Sequence, residues 1–116
     1  MDGLELIAFT IISTVGTAKS NVMESMSLAR SGKFEEAEAK VKAANEFLRT
    51  SEKEHFKVIT QEAKEKNVEL SLLFIHAEDQ LMTTVCLRDV AVELIETNKK
   101  IACLSDTIDQ LVEAQK

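Results

Sequence analysis

The run Leu72-Leu73-Phe74-Ile75-His76-Ala77-Glu78-Asp79-Gln80-Leu81-Met82 concentrates an imidazole, two carboxylates and a carboxamide in one apolar stretch. His76 and Asp79 are three residues apart, so on a helix they are neighbours on one face. Polar groups on an apolar stripe cost free energy unless they are paired or liganded. Three chemistries fit. His76 can be a core histidine bonded to its own helix, with Asp79 in solvent. His76 and Asp79 can both reach one metal ion, although two ligands are too few for one chain and only a symmetric oligomer would multiply them. Finally, partial desolvation favours the neutral ring, whose free nitrogen can attack phosphorus and form a covalent intermediate.

The second histidine is less suggestive. Glu52-Lys53-Glu54-His55 matches the E-x-x-H unit of di-iron bundles. Those bundles need a second such unit and two further inward carboxylates. No second copy exists here, so His55 is read as a residue at the core edge of the second helix. Cys86 and Cys103, if they share one helix, lie about 25 Å apart and cannot pair within it. They are read as two reduced thiols of a cytosolic protein.

The elements that must position these groups are helices. Proline is absent and glycine occurs three times in 116 residues, and unbranched side chains lose little rotamer freedom in a helix. The first helix is expected over about residues 3 to 30. Asp2 with Glu5 resembles a capping box. Leu4, Ala8, Ile11, Val15, Ala18, Val22 and Met26 form its stripe, and Ser31-Gly32 ends it through a left-handed glycine. The second is expected over about 34 to 64, with the stripe Phe34, Ala37, Val41, Ala44, Leu48, Ser51, His55 and Val58. Glu65-Lys66-Asn67 is the expected turn.

The third helix, over about 68 to 112, carries two stripes. One reads Phe74, Ala77, Leu81, Val85, Val92 and Ile95, with Arg88 interrupting. The other reads Leu73, His76, Gln80, Thr83, Leu87, Val90, Leu94, Thr97, Ile101, Leu104, Ile108 and Leu111. A helix in a lone three-helix bundle needs one buried face. The second face calls for a partner, and a further copy of the chain fits best. Beyond Lys99 the first stripe fades, with Lys99 and Asp106 on it. The C-terminal segment is therefore expected to pack the third helix against its symmetry mates.

The formal charge is −6. An acidic chain without clustered Lys or Arg argues against nucleic acid and anionic membrane surfaces. Apolar stretches such as 4–12 and 70–75 are short, and no span of about 20 apolar residues is expected. Asp2 and Glu5 replace the basic start of a signal peptide. A cytoplasmic protein is expected.

His76-Ala77-Glu78-Asp79-Gln80-Leu81-Met82 resembles the H-A-Q-D-H-L-M signature of the enzyme IIA component of the lactose/cellobiose (chitobiose) class of the bacterial phosphoenolpyruvate-dependent sugar phosphotransferase system. The lead-in Val68-Glu69-Leu70-Ser71-Leu72-Leu73-Phe74-Ile75 and the turn Ala29-Arg30-Ser31-Gly32-Lys33-Phe34-Glu35-Glu36-Ala37 are similar too. The resemblance covers about residues 4 to 101. It implies an all-α, antiparallel three-helix bundle with long helices, assembled as a parallel homotrimer. It implies that His76 is the phosphorylated residue. Asp79 from each subunit would meet at the trimer axis around a magnesium ion, which would relieve the repulsion among three carboxylates. It further implies that phosphate comes from the histidine-containing phosphocarrier protein. It would pass to a cysteine of enzyme IIB, which phosphorylates a disaccharide during uptake through membrane enzyme IIC.

Two motif positions depart from the signature: Glu78 stands for glutamine and Gln80 for the second histidine. Glu78 would add negative charge beside the reacting centre if it faces the site. Gln80 keeps hydrogen-bonding capacity without titrating. The extension past about Ile101 is a third departure. Transfer is expected to be in-line, with Nε2 of His76 as the nucleophile, at the edge of a subunit interface. Two rivals remain. One is a trimeric helical adaptor that catalyses nothing. The other is a histidine phosphotransfer domain of two-component signalling, whose usual H-x-x-K-G motif is missing.

Overall fold

The computed structural model describes residues 3–66 and 68–116. Asp2 of the expected capping box and Asn67 of the expected turn lie outside them. Three helices follow in order: α1 (Gly3–Arg30), α2 (Phe34–Glu65) and α3 (Leu72–Ala114). Among the described residues there is no strand.

Cross-helix bonds fix the topology. Thr14 Oγ1 meets Ser51 Oγ, and Lys40 Nζ donates to Glu24 at 2.8 Å, so α2 runs back along α1. Arg88 donates to Asn45 at 2.9 Å and Lys99 to Glu38, so α3 runs back along α2. The result is the expected antiparallel three-helix bundle. The Glu38 carboxylate also holds the Lys99 ammonium above its ordinary pKa.

The stripes of α1 and α2 form most of the core as read, but Leu4, Met26, Phe34 and His55 are half-buried, and Ser25 and Ala29 are buried beyond the expected stripe of α1. Ala8, Ile11, Val15, Ala18 and Val22 of α1 are buried with Ala37, Val41, Ala44, Leu48, Ser51 and Val58 of α2. Fully burying a side chain such as Ile11, Leu48 or Leu81 contributes about 1.5–3 kcal/mol. An 18-residue window of α1 reaches a mean hydropathy of 1.2, enough by length and composition to cross a membrane. The reading of uninterrupted runs missed this. Ala8, Ile11, Val15, Ala18 and Val22 of α1 pack into the core, while Leu6, Phe9 and Met23 stay 45–57% exposed.

The turn between α1 and α2 is a Schellman closure. Gly32 takes φ +80 and donates to Ala29, while the Lys33 amide donates to Leu28 at 2.9 Å. Only glycine adopts that conformation without a Cβ penalty. At the other end Lys66 terminates α2 with φ 50, its amide bonded to Glu62.

Two expectations for α3 are corrected. It starts at Leu72 rather than near Val68, because Ser71 caps it: the hydroxyl accepts the Phe74 amide at 3.1 Å. A serine oxygen that satisfies an orphan amide marks the helix start more firmly than an apolar run does. The buried stripe is Phe74, Ala77, Leu81, Thr84, Ala91 and Ile95. Val85 is half-buried and Val92 exposed. The three-four spacing continues through Arg88, whose head group reaches Asn45 instead of breaking the stripe.

The 43-residue α3 outruns the 32-residue α2 and the 28-residue α1. The last contacts across the bundle involve Ile95 and Lys99. Beyond them α3 projects alone, in a molecule 74 Å long and about 20 Å thick.

Candidate functional site

The site sits where α3 begins. The Ser71 cap fixes the first turn, and His76 follows on the next. His76 and Asp79 are both exposed, on the side of α3 turned away from α1 and α2. Leu72, Ile75 and Met82 are exposed on the same turns. The Thr83 hydroxyl donates to the Asp79 carbonyl at 2.8 Å and the Gln80 carbonyl at 3.2 Å. That leaves the His76 ring and the Asp79 carboxylate without a hydrogen bond among the described residues.

Glu78 does not face His76. At about 100° per residue, two positions apart on a helix point to nearly opposite sides. Glu78 turns to α2, where its Oε1 accepts a 2.6 Å hydrogen bond from His55 Nε2. The His55 ring stacks on Phe74, with centroids 6.1 Å apart and planes 14° from parallel. The His55 side chain is 14% exposed, so its nitrogen is occupied and shielded. The charge that Glu78 brings to the motif is therefore drawn off towards α2. His55 is the core-edge residue expected of it. Sequence reasoning missed this pair. The available signal was that Glu78 lies four residues after Phe74, flanking the buried stripe.

The rest of the second stripe is open. Val90 is 48% exposed, Leu94 38% and Ile101 56%, in line with His76. Leu73, Gln80 and Leu87 are half-buried at its edge. Among the described residues no three His, Cys, Asp or Glu side chains gather to hold a metal ion. One chain brings Asp79 alone. Its carboxylate is a hard oxygen donor of the kind magnesium takes, so the residues fit a shared ion only if copies pool their carboxylates at this face.

The structure thus defines a helical bundle that shields one imidazole and presents the other, beside a carboxylate, on an apolar face with no covering of its own. The chain belongs to the lactose/cellobiose-specific IIA subunit family of the phosphotransferase system (PTS), which it matches over residues 6–99. It is a phosphotransfer component of that system. A relative, the lactose-specific EIIA component of Staphylococcus epidermidis, is 36% identical over 99 residues, covering 85% of this chain and 95% of that one. The crystal structure of the cellobiose-specific enzyme IIA from Bacillus anthracis superposes with a TM-score of 0.85 at 33% identity, covering 89% and 94% of the two chains. A IIA(chitobiose) chain from Escherichia coli, solved in complex with HPr, gives 0.76 at 28% identity, covering 88% and 99%. HPr is the histidine-containing phosphocarrier protein.

Proposed function

We propose that His76 accepts a phosphoryl group from HPr and passes it to enzyme IIB, for disaccharide uptake and phosphorylation through membrane enzyme IIC, in the cytoplasm. The observation that carries this is the contrast between the two imidazoles. Nε2 of His55 is bonded to Glu78, whereas His76 is exposed and unpartnered among the described residues.

The reaction follows from that geometry. A neutral imidazole offers the Nε2 lone pair to phosphorus, and the new N–P bond forms as the donor's N–P bond breaks, in line. No base is needed, because the nucleophile carries no proton on that nitrogen. The phosphoryl then leaves His76 for the IIB cysteine thiolate by the same displacement. Leu72, Ile75 and Met82 supply an apolar collar on which donor and acceptor dock in turn. Both dock on one face, because each must reach the same nitrogen.

The working unit in this reading is a parallel homotrimer with α3 at its axis. Val90, Leu94 and their neighbours then bury against copies, and His76 lies at the seam's edge. Asp79 from each subunit would hold a magnesium ion at the axis. When bound, that ion would neutralise three carboxylates that repel one another. The chain's own residues carry out the transfer.

The test is incubation with phosphoenolpyruvate, enzyme I and HPr. The reading expects one acid-labile, base-stable phosphoryl per chain, lost in His76→Ala and kept in His55→Ala. A label that survives His76→Ala contradicts the assignment. No label on the native chain would favour a non-catalytic helical adaptor.

A further inference from the structure

The projecting end of α3 lies outside the family match, which stops at residue 99. From residue 100 to Ala114 it spans about 22 Å at 1.5 Å per residue. Ile101, Leu104, Ile108 and Leu111 are 56–62% exposed there. Their spacing is three, four, three, the alternation of a coiled-coil seam. The seam runs unbroken from His76 through Thr83, Leu87, Val90, Leu94 and Thr97, with no insertion that would rotate the extension off the bundle's free face.

The flanks of the seam name the occupant. Positions beside it hold Lys100, Ser105, Thr107, Val112 and Ala114, of which only Lys100 is charged. Asp106, Asp109 and Glu113 lie on the far side of the helix. A basic partner, or an anionic lipid surface, would be met by an apolar strip rather than by complementary charge. Identical copies laid parallel and in register bury the strip and keep like charges apart.

We propose that residues 100–114 form a parallel, in-register coiled-coil stalk with other copies of this chain, clamping the seam that carries His76, with Asp79 on its flank. The inference rests on the homotrimer reading above. Isoleucine and leucine alternate here in the order that favours two strands when nothing else intervenes. The stalk therefore tightens the assembly without setting the number of copies, which falls to the broader face within the bundle. Asp79 needs its counterparts from neighbouring copies, so the stalk keeps the site complete when the protein is dilute.

Sedimentation over a concentration series tests this with three proteins: the full chain, a chain ending at Lys100, and Ile108→Asp/Leu111→Asp. The substituted positions lie beyond the bundle, so the subunit fold stands in each. The full chain is expected to stay associated at concentrations at least tenfold below those where both variants dissociate. Equal midpoints would overturn the stalk while leaving the assembly reading intact. A full chain that is single at every concentration would overturn both. Register is read separately, in a Cys86→Ser/Cys103→Ser background. Leu104→Cys is expected to crosslink to itself. Crosslinking only to Ile108→Cys would mean an antiparallel arrangement and would overturn the proposal.

Discussion

His55 and His76 each have a carboxylate near at hand, and the two pairs end in opposite states. His55 and Glu78 lie on different helices and bond at 2.6 Å across the α2–α3 contact. His76 and Asp79 lie on one helix, and both face outward. The first pair is satisfied and stacked on Phe74. It holds the motif turn against α2, with Nε2 of His55 committed to Glu78. The second is left for something that docks. A histidine's chemistry is thus set by whether the fold has already used its nitrogens. The same turn of α3 supplies both outcomes because Glu78 and Asp79, adjacent in sequence, point to different sides.

Substitutions should separate the two pairs. His76→Ala has the largest effect on function and almost none on the fold. Phosphoryl acceptance disappears, while unfolding free energy changes by no more than about 0.5 kcal/mol, as for other exposed positions. Denaturant melts beside the labelling assay check both halves. His55→Ala does the reverse. It strips the partner from Glu78 and the stack from Phe74, and costs about 1–2 kcal/mol, while His76 still takes the label. A His55→Ala chain that melts like the native protein would mean the pair holds nothing together.

Glu78→Gln restores the residue of the similar motif and keeps a hydrogen bond without its charge. Glu78 is 41% exposed, so solvent screens its charge. The expected loss is below about 1 kcal/mol, read from the same melts. Asp79→Asn should change the subunit's stability least, because the side chain is exposed. Its effect should appear only in the assembly: added magnesium raises the melting temperature of the native oligomer, and chelator lowers it, but neither moves Asp79→Asn. A magnesium response that survives the substitution would remove Asp79 from the ion's site.

How far these features could be read in advance depended on the range of the interaction. The faces of α1 and α2 were legible because apolar residues at three- and four-residue spacing must share a side. Gly32 was legible because the turn demands a left-handed residue. The start of α3 was misplaced because an apolar lead-in outweighed the Ser71 cap. Its buried stripe slipped at Thr84 and Ala91 because larger valines stand beside them. His76 and Asp79 stood out through their types and spacing. The Glu78–His55 bond did not, because it depends on the register of α2 against α3, which no local pattern encodes. The free second face of α3 was read from spacing alone, and the subunit leaves it uncovered.

The most direct measurement of the account is histidine-selective 15N NMR before and after phosphorylation by enzyme I and HPr. The chain has two histidines, so the spectrum is unambiguous. The account predicts that the His76 ring nitrogens shift to phosphohistidine values, with Nε2 carrying the phosphoryl, while the His55 signals keep the positions set by Glu78. Phosphohistidine shifts on His55, with His76 unmoved, would contradict it.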